Sequence, residues 1–467
     1  MVRVFKQYIP VPFLLLGAVE FLVSMSSVYL AAWLWPLAMH SENGLLGGEP
    51  VWSKGLAFTA MLLLSQSFLG LYQRRFRFAI VGMILRIGIS LVVTGIALGL
   101  LYFLLPKLAL DRGIFVLSLM IAGVLLTAVR TVFIRSLGKD ALKRRILVLG
   151  AGQNAAQISH NLRRRVDQQG FQIVGHVHVR GEHDVVDESL IIRPDMTLLA
   201  LANSLDIDEI VVAVGERRRK GFPVHDLLDC KLSGIDVIDL QAFFERETGK
   251  LKLDILSPSW MIFSDGFNQG KGQSTQKRLF DIVVSLALLA VSWPFMLLVV
   301  LMIKLEGRGR GSIIYRQIRV GQHWRLFNVY KFRSMREDAE SGGAQWAKKN
   351  DDRVTRTGRF IRLTRLDELP QIFNVLKGDM SFVGPRPERP EFVTQLSERI
   401  PYFAERHRVK PGITGWAQVC YPYGASEKDS LEKLQFDLYY IKNYSLFLDL
   451  VIILQTAHSV IAGKGGR

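Results

Sequence analysis

Four apolar runs fill the first 135 residues, at about 11–35, 55–72, 78–105 and 114–134. Each is close to the roughly 20 residues that a helix needs to cross the hydrocarbon core. Water does not tolerate four such runs, so this part of the chain reads as a membrane domain of four helices. The first run is longer than the apolar stretch of a secretory signal, and no small-residue cleavage pattern follows it, so it reads as a retained helix. Basic residues sort by side. Arg3 and Lys6 precede the first run, Arg74, Arg75 and Arg77 separate the second and third, and Arg130, Arg135, Lys139, Lys143, Arg144 and Arg145 follow the fourth. The other two loops, 36–54 and 106–113, hold only Lys54, Lys107 and Arg112. The positive-inside bias then places the N-terminus, and the chain just beyond residue 135, in the cytoplasm. Arg86, inside the third run, is expected near the interface or snorkelling towards it.

A chain of 467 residues has room for about three domains. It is 49% hydrophobic yet carries a net charge of +17. Oily and basic together point to a membrane protein that faces anionic lipid or anionic ligands. No nucleic-acid recognition motif accompanies the charge, so nucleic acid is not an expected partner. Cys230 and Cys420 lie far apart and outside any metal-ligand spacing. That fits a reducing compartment, with neither a disulfide nor a zinc framework.

Residues 145–270 read as a soluble α/β unit. The short apolar strands ILVLG (146–150), FQIVGHVHV (171–179), IDEIVVAVG (207–215) and IDVIDL (235–240) alternate with helical stretches, the rhythm of a parallel sheet. Gly150-Ala-Gly152-Gln-Asn-Ala155 has the G-x-G-x-x-A form that lets a pyrophosphate approach a helix N-terminus. The acid expected at the end of the second strand is missing: Arg180 stands there, and Glu182 comes only later. The expectation is therefore a Rossmann-like unit that binds no dinucleotide, or a different nucleotide. Residues 141–275 contain no tyrosine, which removes the Tyr-x-x-x-Lys pair of a nucleotide-sugar dehydratase. The basic runs Arg163–Arg165 and Arg217–Lys220 read as solvated faces. SDGFNQGKGQSTQ (264–276) reads as a linker.

The stretch VVSLALLAVSWPFMLLVVLMIK (283–304) is long enough to cross the membrane. Lys277 and Arg278 precede it, and Lys304, Arg308 and Arg310 follow it, so both flanks favour the cytoplasmic side. Pro294 removes a backbone donor and clashes with the preceding turn. The expectation is a re-entrant helix over about 280–304 that bends at Pro294, with Ser292 offering a hydrogen bond to the opened backbone.

Three later stretches carry phosphate-binding residue types: 315–335, 351–388 and 411–419. Asp367-Glu368 stands out in this basic setting. A carboxylate ringed by cations is expected to have a lowered pKa and stay ionised, fit to attack phosphorus or to hold Mg²⁺. Thr364-Arg-Leu-Asp367 also fits a capping box, so the acids can equally mark a helix start.

Residues 277–467 resemble the bacterial sugar transferase domain of the monotopic phosphoglycosyl transferases. KRLFDIVVSLALLAVSWP, KFRSM, LDELPQ, NVLKGDMSFVGPRP, KPGITGWAQV and FDLYYIKNYSLFLDL resemble family blocks, in the family's order. The whole chain, with PSWMIFSDGF before the linker, is similar to the large polyprenyl glycosylphosphotransferases, and looks closest to those that begin exopolysaccharide synthesis in exosortase-associated systems. The resemblance implies transfer of a sugar 1-phosphate from a UDP-sugar to undecaprenyl phosphate, with release of UMP. It implies Asp367 as nucleophile and Mg²⁺ ligand, Glu368 as its support, and Mg²⁺ as cofactor. It implies phosphate contacts from Lys331, Arg333, Arg362 and Arg386, with Pro385 and Pro387 near the nucleotide, and a re-entrant helix that anchors the domain in inner-membrane lipid. In two places the chain departs from the family: Trp293 replaces a serine before the bending proline, and Asp351-Asp352-Arg353 replaces Asp-Pro-Arg.

The fold expected is a four-helix transmembrane domain (1–140), a Rossmann-like domain (141–263), a linker (264–276) and an α-rich transferase domain with a re-entrant helix (277–467). The rival reading is a catalytically degenerate membrane scaffold that senses a nucleotide. The sugar is open among glucose, galactose and N-acetyl sugars, and homo-oligomerisation is open too.

Overall fold

The computed structural model describes residues 2–4, 7–9, 11–39, 51–68, 71, 80–137, 143–162, 170–215, 222–267, 270–336, 339, 351–421, 424 and 426–461. Arg74, Arg75, Arg77, Lys139, Arg163–Arg165 and Arg217–Lys220 lie outside the described residues. Two compact units divide at Thr248/Gly249.

In the first unit, two three-residue strands, β1 (Val2–Val4) and β2 (Gln7–Ile9), precede four helices: α1 (Val11–Met39), α2 (Val51–Phe68), α3 (Ile80–Leu104) and α4 (Arg112–Leu137). Of these, α1, α3 and α4 are long and apolar enough to span a membrane. Helix α3 begins at Ile80, so Arg86 lies within the helix and not at its start. The shorter α2 buries Lys54, Ser65 and Gln66 among its neighbours. Arg130 corrects the sorting of charges. It lies within α4, buried, with Nε 2.6 Å from Glu20 Oε1 and Nη1 donating to the Leu71 carbonyl at 2.8 Å. An arginine at this depth is held by a partner, because lipid leaves it no water. It therefore does not count as an interfacial charge.

The same unit holds a five-stranded sheet of order β5-β4-β3-β6-β7, parallel throughout. The strands are β3 (Arg144–Leu149), β4 (Phe171–Val177), β5 (Ile191–Ile192), β6 (Glu209–Val212) and β7 (Asp236–Asp239). Helices α5 (Gln153–Asn161), α6 (Leu198–Ser204), α7 (Val224–Leu232) and α8 (Leu240–Thr248) alternate with them. Strands β3 and β6 are buried along most of their length, which is why they read as unbroken apolar runs. This is the expected Rossmann-like architecture.

The second unit starts earlier than composition suggests. Leu251 is fully buried in its core, Leu251 N donates to Gln435 O at 3.0 Å, and Lys250 pairs with Glu432 at 2.6 Å. The segment 249–263, expected to belong to the Rossmann-like domain, instead packs here, with Trp260 of α9 (Pro258–Phe263) against the same core. The expected linker is also shorter, because α10 (Lys271–Glu306) already includes residues 271–276.

Helix α10 has 36 residues and continues through Pro294. At about 1.5 Å per residue it is longer than the roughly 30 Å hydrocarbon core. Ser292 is buried, and its hydroxyl has no hydrogen-bond partner, so the bond expected at the bend is not formed. The register explains this. Pro294 orphans the carbonyl of Ala290, whereas a serine reaches back three or four residues, from 292 to 288 or 289. A serine at 293 would reach it, and that position is Trp293.

After α10 come the antiparallel hairpin β8 (Ile314–Val320) and β9 (Leu326–Phe332), then α11 (Arg356–Leu363), a 3₁₀ turn at Leu366–Glu368 and α12 (Gln371–Lys377). Strand β10 (Ser381–Val383) pairs in parallel with β11 (Gly412–Thr414), and α13 (Pro390–Arg399) lies between them in sequence. Helices α14 (Trp416–Cys420), α15 (Glu427–Lys442) and α16 (Leu446–Ile461) complete the unit.

Candidate active site

Two turns of backbone place the Asp-Glu pair. Thr355 caps α11, accepting from Gly358 N at 2.9 Å, and Gly358 lies so close to the chain that a Cβ there would stand 1.9 Å from the Ser334 carbonyl. The helix ends at Thr364, whose hydroxyl donates back to the Phe360 carbonyl at 2.9 Å. Arg365 then takes a left-handed conformation, φ +59°, and turns the chain into the 3₁₀ turn. The capping-box reading fails. Thr364 bonds backwards, and Pro370 occupies the N-cap of α12. Asp367 is buried, and its Oδ1 has no hydrogen-bond partner.

Glu368 takes the cations instead. Its Oε1 accepts from Lys331 Nζ at 3.0 Å and from Arg386 Nη2 at 2.9 Å, while Arg365 Nη1 lies 3.6 Å from Oε2. Burial alone would raise the Glu368 carboxyl, but Lys331, Arg386 and Arg365 outweigh it and hold it well below the usual carboxylate range. Asp367 goes the other way. Burial, then the charge on Glu368, push it up to about 6, against the pull of Lys331, Arg365 and Arg362. The expectation that Asp367 would be depressed is thus corrected: the cations touch Glu368, and a fixed negative charge next door disfavours a second one.

Remote segments set these positions. Asn374, fully buried on α12, donates to the Asn328 carbonyl at 2.7 Å and accepts from Tyr330 N at 3.0 Å, fixing α12 to β9 and so Glu368 to Lys331. Arg386 sits on the loop after β10. Its carbonyl accepts from Arg406 Nη2 at 3.0 Å, and Arg406 also pairs with buried Asp437 at 2.8 Å. Pro385 O accepts from Gly412 N at 2.9 Å, and Pro387 O from Arg319 Nη1 at 3.1 Å. The two prolines thus hold the Arg386 loop through their carbonyls. The stretch 411–419 packs against the same loop. It clamps the loop: a Cβ on Gly412 would lie 2.1 Å from Gly384 N, and one on Gly415 would lie 2.2 Å from Gly384 O.

Strand β10 is anchored in turn by α10. Asp281 Oδ1 accepts from Phe382 N and from Ser381 Oγ, each at 3.0 Å. Lys277 donates to the Val383 carbonyl at 3.0 Å and pairs with Asp449 at 2.6 Å, while Arg278 donates to the Val375 and Leu376 carbonyls at the end of α12. Lys277 and Arg278, read from sequence as flanking charges, thus tie the membrane helix to the site.

Of the residues the sequence singles out, Asp367, Glu368, Lys331 and Arg386 come together, with Arg362 acting on Asp367 through its charge. Arg333 lies two residues beyond Lys331, its side chain beside the end of α10. Sequence reasoning missed Arg319, Asn374 and Arg406, which position the site; Arg319 and Asn374 lie in stretches singled out from the sequence, Arg406 in none. Among the described residues, no cluster of three metal-ligating side chains occurs. The orphaned Asp367 Oδ1 fits one protein ligand to Mg²⁺, an ion that commonly completes its shell with substrate phosphates and water.

In the Rossmann-like sheet the glycine turn is already filled. Glu182 Oε2 accepts from Ala151 N at 3.3 Å, and a Cβ on Gly152 would stand 2.6 Å from Glu182 Oε1. Val185 N and Val186 N both donate to Ala151 O, at 2.8 and 3.1 Å, and so fasten the segment over the turn.

The family model described as bacterial sugar transferase matches residues 272–463, and that described as CoA-binding domain matches 67–220. The pyrophosphate of coenzyme A does not fit the glycine turn, because the Glu182 carboxylate holds the anion's place. Titration of the full chain with coenzyme A is expected to give neither heat nor a thermal shift, and Glu182→Ala to lower thermal stability. Tight binding that Glu182→Ala leaves unchanged would contradict the plugged turn.

A UDP-N-acetylgalactosamine-undecaprenyl-phosphate N-acetylgalactosaminephosphotransferase of Aeromonas hydrophila is 39% identical over 61% of this chain and 65% of its own length. An undecaprenyl-phosphate glucose phosphotransferase of Komagataeibacter xylinus is 34% identical over 68% of this chain and 58% of its own. A UDP-glucose:undecaprenyl-phosphate glucose-1-phosphate transferase of Xanthomonas campestris pv. campestris is 33% identical over 71% and 69%. The matches thus span less than two thirds of the first two relatives and slightly more than two thirds of the third. With the ordered blocks folded around one buried Asp-Glu pair, this chain belongs to the bacterial sugar transferase family.

Proposed function

We propose that the chain transfers a sugar 1-phosphate from a UDP-sugar to undecaprenyl phosphate, releases UMP, and so performs the first membrane step in building an exopolysaccharide or related glycan. One observation carries the reading: a buried aspartate with an unpartnered oxygen beside a glutamate whose charge is already matched. Asp367 attacks the phosphorus that bears the sugar. The bond from that phosphorus to the UMP oxygen breaks, and its electron pair leaves with UMP. An oxygen of the lipid phosphate then attacks the same phosphorus and frees the Asp367 carboxylate. The covalent step lets two mutually repelling phosphates visit in turn. Lys331, Arg386 and Arg362 balance the charge that builds up on the phosphoryl oxygens. Mg²⁺, held by Asp367 and the donor's phosphates, would neutralise the diphosphate. Glu368 keeps Lys331 and Arg386 in place.

The domain works at the cytoplasmic face of a bacterial inner membrane, with α10 re-entering on the side it came from. The basic flanks of that helix support this, as does the need for a nucleotide-activated donor. The names of the relatives divide between N-acetylgalactosamine, glucose and galactose. The test is UMP release by purified protein in nanodiscs with Mg²⁺, undecaprenyl phosphate and each of those UDP-sugars. UMP from one donor is expected. Release of UDP would mean ordinary glycosyl transfer, and no release from any donor would favour the scaffold.

A further inference from the structure

Helix α15 turns one face to the loop that carries Arg386. Lys433, Asp437 and Tyr440 share that face, at spacings of four and three. Tyr440 Oη lies 3.1 Å from the Val383 carbonyl, just before the loop. Asp437 pairs with Arg406 at 2.8 Å, and Arg406 donates to the Arg386 carbonyl at 3.0 Å. One turn further back, Lys433 comes beside Arg386 and Glu388. We propose that Lys433 is a further phosphate-binding residue, facing the phosphate that leaves with UMP. The inference rests on the transferase reading and adds to it a cation outside the stretches singled out for their charge.

Charge is the first argument. Lys433 Nζ donates to the Gly424 carbonyl at 2.7 Å, which holds the ammonium without cancelling its charge. Among the described residues no carboxylate lies within 4 Å of it. The nearby acids are engaged elsewhere. Asp429 accepts from Ser426 N at 2.9 Å and from Tyr421 Oη at 2.7 Å, Glu388 lies 3.6 Å from Arg319 Nη1, and Asp437 has Arg406. Arg386 is matched by Glu368 at 2.9 Å. Lys433 is therefore the cation of this group whose charge a ligand can take up.

Access is the second. Arg406 and Asp437 are buried, whereas Lys433 and Arg386 are only half-buried and reach solvent. Burial pulls the Lys433 ammonium down from its usual value, Glu388 opposes this, and Arg386 adds to it, so both side chains act on Lys433. Two neighbouring cations repel, and a phosphate between them turns that repulsion into two charge-assisted bonds.

Position is the third, and it selects between the two substrates. Lys277 of α10 donates to the same Val383 carbonyl and pairs with Asp449, which lies 2.8 Å from Tyr440 Oη. The membrane helix thus meets α15 at Tyr440. Lys433 stands seven residues, about 10 Å, back along α15 from that meeting point. A lipid phosphate arrives with the membrane helix, so the side of Arg386 that Lys433 faces is left to the water-soluble donor.

The test uses the full chain in nanodiscs with Mg²⁺. Lys433→Gln removes the charge and keeps a donor for the Gly424 carbonyl, so it separates the cation from the structural tie. It is expected to raise the KM for the UDP-sugar about tenfold or more, with the KM for undecaprenyl phosphate within about twofold. Equilibrium binding of UMP reads the contact without turnover and is expected to weaken by a similar factor, while Lys433→Arg restores both. A rise in the acceptor KM alone would assign the charge to the lipid phosphate. Unchanged donor KM and UMP binding in Lys433→Gln would make the lysine a tie for Gly424 and nothing more. Equal defects in Lys433→Gln and Lys433→Arg, with a lowered melting temperature in each, would reduce the effect to packing. Each of these three results overturns the proposal. A wild type that binds UMP through Lys433 yet releases none from any UDP-sugar would refute the reaction but not the contact.

Discussion

Asp367→Asn is expected to reduce UMP release by at least about 10³-fold and, at neutral pH, to raise thermal stability. The first effect follows from losing the nucleophile. The second follows from what holds Asp367 where it is. Burial and the neighbouring Glu368 charge push its carboxyl from 3.8 up to about 6. The folded state therefore binds this proton more tightly than the unfolded chain does. The resulting stability is fully present below about pH 4 and is lost as pH rises through 6. At about 1.36 kcal/mol per pH unit, keeping Asp367 ionised costs about 3 kcal/mol above pH 6. The asparagine carries no such cost. Its melting temperature should exceed that of the wild type at pH 7.5, and the gap should close by pH 4. Wild-type activity should fall below about pH 6, as the nucleophile takes up its proton. Thermal melts of both proteins across pH 4 to 8 check the sign. A mutant less stable than the wild type at pH 7.5 would contradict the picture of a carboxylate held at a cost.

Gly412→Ala is expected to cost about 100-fold in activity without touching a charged residue. A methyl group there would stand 2.1 Å from Gly384 N and 2.4 Å from Thr414 O. These are backbone atoms in a parallel strand pair, and the Gly384 N to Thr414 O bond of 2.8 Å lies between them. They cannot yield as a side-chain tip would, so β10 and β11 must separate, at about 1–3 kcal/mol or more. The loop that carries Arg386 moves with them, and displacement of a charged group by about 1 Å is enough for a loss of that order. Gly272→Ala is the control, since a Cβ there meets nothing within 4 Å. If Gly412→Ala kept full activity and stability, the clamp would be ruled out.

Local patterns in the sequence carried much of this molecule. The apolar runs became α1, α3, α4 and α10, and the alternation of short apolar strands with helices became the parallel sheet. The Asp-Glu pair stood out because acids are rare in a basic stretch. What was illegible depends on contacts between distant segments. Lys277 and Asp449 meet across 172 positions, and Asn374 reaches Asn328 across 46. Nothing local tells which of two adjacent carboxylates the cations will touch, so the sequence alone predicts the opposite direction for the shift of Asp367. The same holds for Glu182. Its distance from the second strand argued against a ribose contact, but only the fold shows that it fills the glycine turn. Arg130 looked like a flanking charge until its partner Glu20, 110 positions away, was in view.

The central claim is that Asp367 carries the sugar phosphate between two substrates. Its most direct test is peptide mass mapping of the full-length protein in nanodiscs, quenched after incubation with Mg²⁺ and the active UDP-sugar but no lipid acceptor. The expected result is one sugar-phosphate adduct on the peptide that contains Asp367, formed together with an equal amount of UMP and lost on adding undecaprenyl phosphate. An unmodified peptide, with UMP appearing only once the lipid is present, would contradict the account and mean direct transfer from donor to acceptor.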